Sequence, residues 1–132
     1  MANKDYMPKD NRLLPSEGVE QATLFNWAKM QEHAHPELRL MIHIPNGGKR
    51  SKSEAARFKA EGVRAGVSDI FLPVARGEHH GLWIELKRLA GGQLSAAQRA
   101  WLKEMREQGY AAECCKGWQQ AAEMITAYLE AK

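Results

Sequence analysis

An acid and a base stand two positions apart in Leu82-Trp83-Ile84-Glu85-Leu86-Lys87-Arg88. The stretch alternates as a strand does. Trp83, Glu85 and Lys87 therefore share one face, while Leu82, Ile84 and Leu86 share the other, which reads as core. Upstream, Asp69 opens a second apolar run, Asp69-Ile70-Phe71-Leu72. One Asp and one Glu brought together can hold a hard divalent cation through oxygen ligands, leaving a neighbouring lysine to engage an anion or an attacking water. Two carboxylates about 4 Å apart repel by roughly 4 kcal/mol at an effective dielectric of 20, and a cation between them relieves that. The three charges are expected to stand accessible around a site, contributing little packing, so that removing any of them spares the fold.

The flanking segments supply the elements that must position this trio. Ser16 is a natural N-cap for a helix over about 17–34, with the stripe Leu24, Trp27, Ala28 and Gln31 on one face. Glu20 lies on that same face. Either it is an edge carboxylate helped by the helix N-terminus or it belongs to the metal site. His35-Pro36 stops the helix, the stretch 38–44 alternates as a strand, and Pro45-Asn46-Gly47-Gly48 is a turn by composition. From Lys49 to Arg64 six cations face two acids, a local charge of +4 that exceeds the +3 of the whole chain. A basic run of this kind is most often a solvated face. Here it follows a Gly-Gly turn whose backbone N–H groups can meet phosphate, and a helix over 53–60 carries it, which suits a nucleic-acid backbone.

Gly62 closes that helix, a strand is expected over 68–74, and the glycine-bounded 76–81 segment is a hairpin connection, making the two acid-bearing strands antiparallel neighbours. Pro73 cannot donate to a ladder and marks an edge or a bulge. His79 and His80 point apart in extended chain and read as exposed loop imidazoles. Ser95-Ala96-Ala97-Gln98 matches a capping box and starts a helix ending before Gly109, which gives Gln98 a structural task at once. A strand over 110–115 and an amphipathic helix carrying Trp118, Ala121, Ala122, Ile125, Tyr128 and Leu129 complete the order α, β, α, β, β, α, β, α. The expectation is an α/β fold, a mixed sheet flanked by helices.

At 132 residues the chain supports one domain with a real core, expected over 16–132 behind a flexible polar arm over 1–15. The sequence pI of about 9.0 permits a nucleic-acid partner without requiring one. Cys114 and Cys115 are adjacent, which is neither a disulfide framework nor a metal spacing, and a reducing cytoplasm is implied. No run is apolar enough to span a membrane. No phosphate loop of the G-x-x-x-x-G-K type and no nucleophile elbow occurs, which sets aside P-loop ATPases and acyl-transfer enzymes.

Gly66-Val67-Ser68-Asp69, Trp83-Ile84-Glu85-Leu86-Lys87, Ser95-x-x-Gln98-x-x-Trp101 and Asn46-Gly47-Gly48 together resemble the VRR-NUC family of the PD-(D/E)xK nuclease superfamily, in its standalone phage and bacterial form. The likeness runs from about Glu17 to Leu129 and departs from the family pattern at Ser68, where proline usually precedes the acid. It implies a restriction-endonuclease-like core and Mg²⁺ or Mn²⁺ held by Asp69, Glu85 and the backbone carbonyl of Leu86. Lys87 would be the catalytic lysine that orients the attacking water or steadies the pentacovalent charge, with Glu20 and Gln98 as outer members of the site. The likeness further implies hydrolysis of DNA, a preference for four-way junctions or other branches in replication or repair, a homodimer, and a bacterial or phage-infected cytoplasm. Asn46, Gly47, Gly48, Lys49, Arg50, Lys52 and Arg57 are the expected DNA contacts. The alternative is a non-catalytic nucleic-acid-binding module that uses the 49–64 stretch.

Overall fold

A computed structural model describes residues 14–45 and 51–132. Most of the expected arm and the Asn46–Arg50 segment lie outside the described residues. Helix α1 spans Glu17–Met30, β1 Ile42–His43, α2 Lys52–Ala60, β2 Ile70–Leu72, β3 Leu82–Lys87, α3 Ala96–Glu107, β4 Ala111–Lys116 and α4 Trp118–Glu130. The strands form one sheet in the order β1-β2-β3-β4. The first two pairings are antiparallel and β3 runs parallel to β4, with α3 as the crossover. The expected α/β fold with a mixed sheet flanked by helices is borne out.

Leu82, Ile84 and Leu86 are almost fully buried, and with Ile70 and Leu72 they meet Leu24 and Ala28 of α1 and Ala121, Ile125 and Leu129 of α4. Alternation sends the other β3 residues to the opposite face. There Trp83 stacks on Phe71 at 4.2 Å and takes the edge of Trp101 from α3 at 5.3 Å. Trp27 and Trp118 pack, partly buried, against the core. The aromatic surface of the helices is thus largely spent within the monomer.

Three elements differ from expectation. Instead of a strand over 38–44, Pro36–Leu40 forms a 3-10 turn and the strand shrinks to Ile42–His43. The sequence shows a period of two through Leu38, Leu40, Ile42 and Ile44, but burial falls on Leu38 and Met41, a spacing of three, while Leu40 and Ile42 stay exposed. Proline at the first position of the turn pre-sets its backbone. Helix α1 ends at Met30 and not at Ala34. Strand β2 is also shorter than 68–74, because Pro73 brings no N–H to a ladder and β1 reaches only Ile70 and Phe71.

Candidate active site

The site forms where β2 and β3 part company. Their register pairs Ile70 with Ile84 and stops there. One residue further, the Asp69 carboxylate replaces the ladder and accepts the Leu86 N–H at 2.9 Å. The Asp69 carbonyl is held from the other side by the N–H of Ile44 at 2.6 Å and by Nδ1 of His43 at 2.9 Å, and since a carbonyl only accepts, that ring nitrogen carries the proton. Asp69 is therefore fixed through both its backbone and its side chain. On β3 the carbonyl of Lys87 faces β4, where it accepts from Gly117. Adjacent residues alternate, so the Leu86 peptide groups face the opening beside Asp69.

Glu85 is 2 % exposed. Its Oε1 accepts from Nε2 of Gln98 at 3.0 Å and lies 3.5 Å from Nζ of Lys87. Among the described residues its buried Oε2 has no hydrogen-bond partner. Burial first, and then the charge of Asp69, raise the Glu85 pKa to about 8 against the pull of Lys87. Lys87 is itself 7 % exposed, and the expectation of accessible charges around an open site is corrected for both residues. α3 covers this face of β3, and Gly92 lies so close to the Lys87 stem that a Cβ there would sit 3.2 Å from that of Lys87. On β4, Cys114 stands in register with Glu85, and burial together with the Glu85 charge pushes its thiol pKa up, which makes it a poor nucleophile.

Gln98 makes the capping box expected of it and also touches Glu85. Its Oε1 accepts from the Ser95 N–H to complete the capping box, while its Nε2 holds Glu85. Glu20 is buried, and its Oε2 accepts the Trp118 N–H at 2.9 Å. Gly117 precedes α4 with no side chain to cap it, so the carboxylate from α1 supplies the cap. Among the described residues no three of Asp, Glu, His or Cys converge closely enough to hold a metal, and the Glu20 carboxylate is engaged at the start of α4. One turn earlier, Glu17 places Oε1 4.0 Å from Nζ of Lys87. Glu17 reads in sequence as an ordinary first-turn acid. Its place one helical turn before Glu20, on the same side of α1, was the available signal that it approaches the site.

The donor set fits a hard divalent cation. A buried carboxylate oxygen of Glu85 has no hydrogen-bond partner among the described residues, its carboxyl resists ionisation, and a second carboxylate and a backbone carbonyl share the same opening. Lys52 and Arg57 stand on α2, which buries none of its residues. Arg57 pairs with Glu61 at 3.6 Å and lies over the Phe58 ring. The expected contacts Asn46, Gly47, Gly48, Lys49 and Arg50 fall outside the described residues.

A family model described as VRR-NUC domain matches residues 5–119. A solved structure described as a VRR_NUC domain protein is similar to this chain, with a TM-score of 0.77 and 30% identity, covering 89% of this chain and 90% of that one. No curated protein matches. The chain belongs to the VRR-NUC domain family, a family of nucleases. No helix among the described residues is long and apolar enough to cross a membrane.

Proposed function

We propose that this chain is a metal-dependent endonuclease that hydrolyses DNA phosphodiesters, with Asp69, Glu85 and Lys87 as its catalytic residues. The observation that carries the reading is the Glu85 carboxyl, buried beside Asp69 with one oxygen unpartnered among the described residues and its pKa raised to about 8, while Lys87 stands 3.5 Å away. Asp69, Glu85 and the Leu86 carbonyl would hold Mg²⁺ or Mn²⁺, which supplies charge for the phosphoryl oxygens and a lower pKa for a bound water. Asp69 enters this arrangement already oriented by the Leu86 N–H. Gln98 fixes the Glu85 rotamer, leaving its second oxygen for the cation. Lys87, held between Glu85 and Glu17, brings a positive charge to the water or to the developing phosphorane. Glu20 acts at a remove, through the start of α4.

The DNA backbone would approach over α2, which carries Lys52, Arg57 and Lys59 and follows Lys49 and Arg50 in sequence. Branched DNA is the proposed substrate and a homodimer the proposed active unit. Paired nicks across a four-way junction need two sites related by a two-fold axis, and each chain carries one trio. A cytoplasmic place in replication or repair, in a bacterial or phage-infected cell, accords with this reading. The test is cleavage of labelled single-stranded, duplex, flap, splayed and four-way DNA with Mg²⁺, Mn²⁺ or EDTA, beside solution mass by light scattering. Cutting of branched DNA with metal by a dimer is expected. Equal rates in EDTA would remove the metal, preference for plain duplex would remove the branch selectivity, and a monomer making paired cuts would remove the dimer.

A further inference from the structure

Beside the candidate active site a cavity of about 710 Å³ opens between α2, the segment leading to β2, and α3. Its walls are mainly apolar: Ala55 and Phe58 on α2, Val63 on the connection, and Ala97, Ala100 and Trp101 on α3. No step of the proposed hydrolysis uses it. Its location is set by the same two segments that build the site. The connection runs through Gly66, whose positive φ and approach to the Ala97 carbonyl leave no room for a side chain, and within three residues delivers Asp69. On the other wall, Trp101 follows Gln98 by one helical turn, roughly 4.5 Å of rise, and Gln98 holds Glu85.

We propose that this cavity receives an unpaired nucleobase next to the phosphate that is cut, an inference that rests on the nuclease reading and names its substrate class as DNA with an unpaired nucleotide at the cleavage point. Each wall carries an aromatic ring, Phe58, one face of which the Arg57 guanidinium covers, on one side and Trp101 on the other, and every base has a π-face that such rings accept regardless of sequence. Trp101 is held rigid by its edge contact to Trp83, so stacking on it costs little further ordering. The charge of the outer wall matches a polyanion. From Lys52 to Ala60 three cations face one acid, which leaves α2 at +2, and Lys59 and Arg64 line the cavity itself against the single acid Glu104 on α3. A base inside duplex must first be unstacked and unpaired to enter, whereas a base in a flap or splayed arm is already unpaired. Selectivity for branches that carry such a base then follows from the cavity without any base-specific contact.

The experiment compares branched DNA carrying a base, 2-aminopurine or an abasic residue at the unpaired position flanking the cut. With Ca²⁺ in place of Mg²⁺, binding of the full-length protein should quench 2-aminopurine several-fold. With Mg²⁺ or Mn²⁺, the abasic substrate should be cut about 5- to 100-fold more slowly, the range that base–aromatic stacking supplies. Phe58→Ala and Ala100→Trp alter exposed or half-buried positions that the core does not use, and each should abolish both the quenching and the discrimination. DNA bound without quenching, absence of DNA binding by anisotropy, or equal cutting of base-bearing and abasic substrates would each overturn the proposal. Quenching that Phe58→Ala abolishes, in a protein that cuts nothing, would support the cavity and refute the nuclease. Equal cutting of every substrate would do the reverse.

Discussion

Glu85→Gln is the substitution whose effect on stability the structure specifies most tightly. The amide keeps the shape of the side chain and an oxygen for the Gln98 Nε2–H, but it cannot ionise. In the unfolded chain the Glu85 carboxyl titrates near 4.5, and in the folded one near 8, a value that already includes the attraction of Lys87. Below pH 4.5 both states are protonated and the two proteins should be about equally stable. Between 4.5 and 8 the unfolded wild type gives up a proton that the folded one keeps, so wild-type stability falls relative to the variant as pH rises. At 1.36 kcal/mol per pH unit the gap reaches about 3 kcal/mol near neutrality and on the order of 5 kcal/mol above pH 8. Urea denaturation of both proteins in EDTA at pH 5, 7 and 9 measures the gap. Parallel stability curves, or a variant less stable than wild type at pH 9, would refute the claim that burial and Asp69 oppose ionisation of Glu85.

Three further outcomes follow from the same geometry. At pH 8.5, Mg²⁺ at about 100 times its dissociation constant should raise wild-type stability by about 2.7 kcal/mol and leave Glu85→Gln nearly unmoved, as read by thermal melts. Lys87→Ala should abolish cleavage and, by removing the cation beside Glu85, push that carboxyl further above 8, so that the alkaline loss of stability extends to higher pH in the same denaturation series. Neutralising Lys49, Arg50 and Lys52 together should weaken duplex binding and lower its log–log salt slope by about 0.9 for each phosphate no longer neutralised, and an unchanged slope would make these residues an ordinary solvated face.

Strand periodicity made the centre of the fold legible. The alternation in 82–87 assigned its two faces, and the capping box at Ser95 placed the start of α3 and with it Gln98. What the sequence withheld depends on contacts between distant segments. That Lys87 would be buried could not be read from a strand with two polar residues on one face, because Gly92 and, from the start of α1, Glu17 are what stand against it. Glu20 was legible as an acid on an apolar stripe, but its partner, the bare N-terminus of α4 at Trp118, lies across the fold. Glu17 was hidden by the commonness of acids in a first helical turn. The 38–44 stretch misled because an accidental period of two overlay the burial spacing of Leu38 and Met41.

The central claim, that the buried pair Asp69 and Glu85 with Lys87 cuts DNA with a divalent metal, is tested most directly by comparing cleavage of a labelled four-way junction by wild type and Glu85→Gln with Mg²⁺ or Mn²⁺ at pH 8. Both proteins should be folded by circular dichroism and bind the junction, and only the wild type should release cut strands. Cleavage by a folded Glu85→Gln protein at the wild-type rate would contradict the claim.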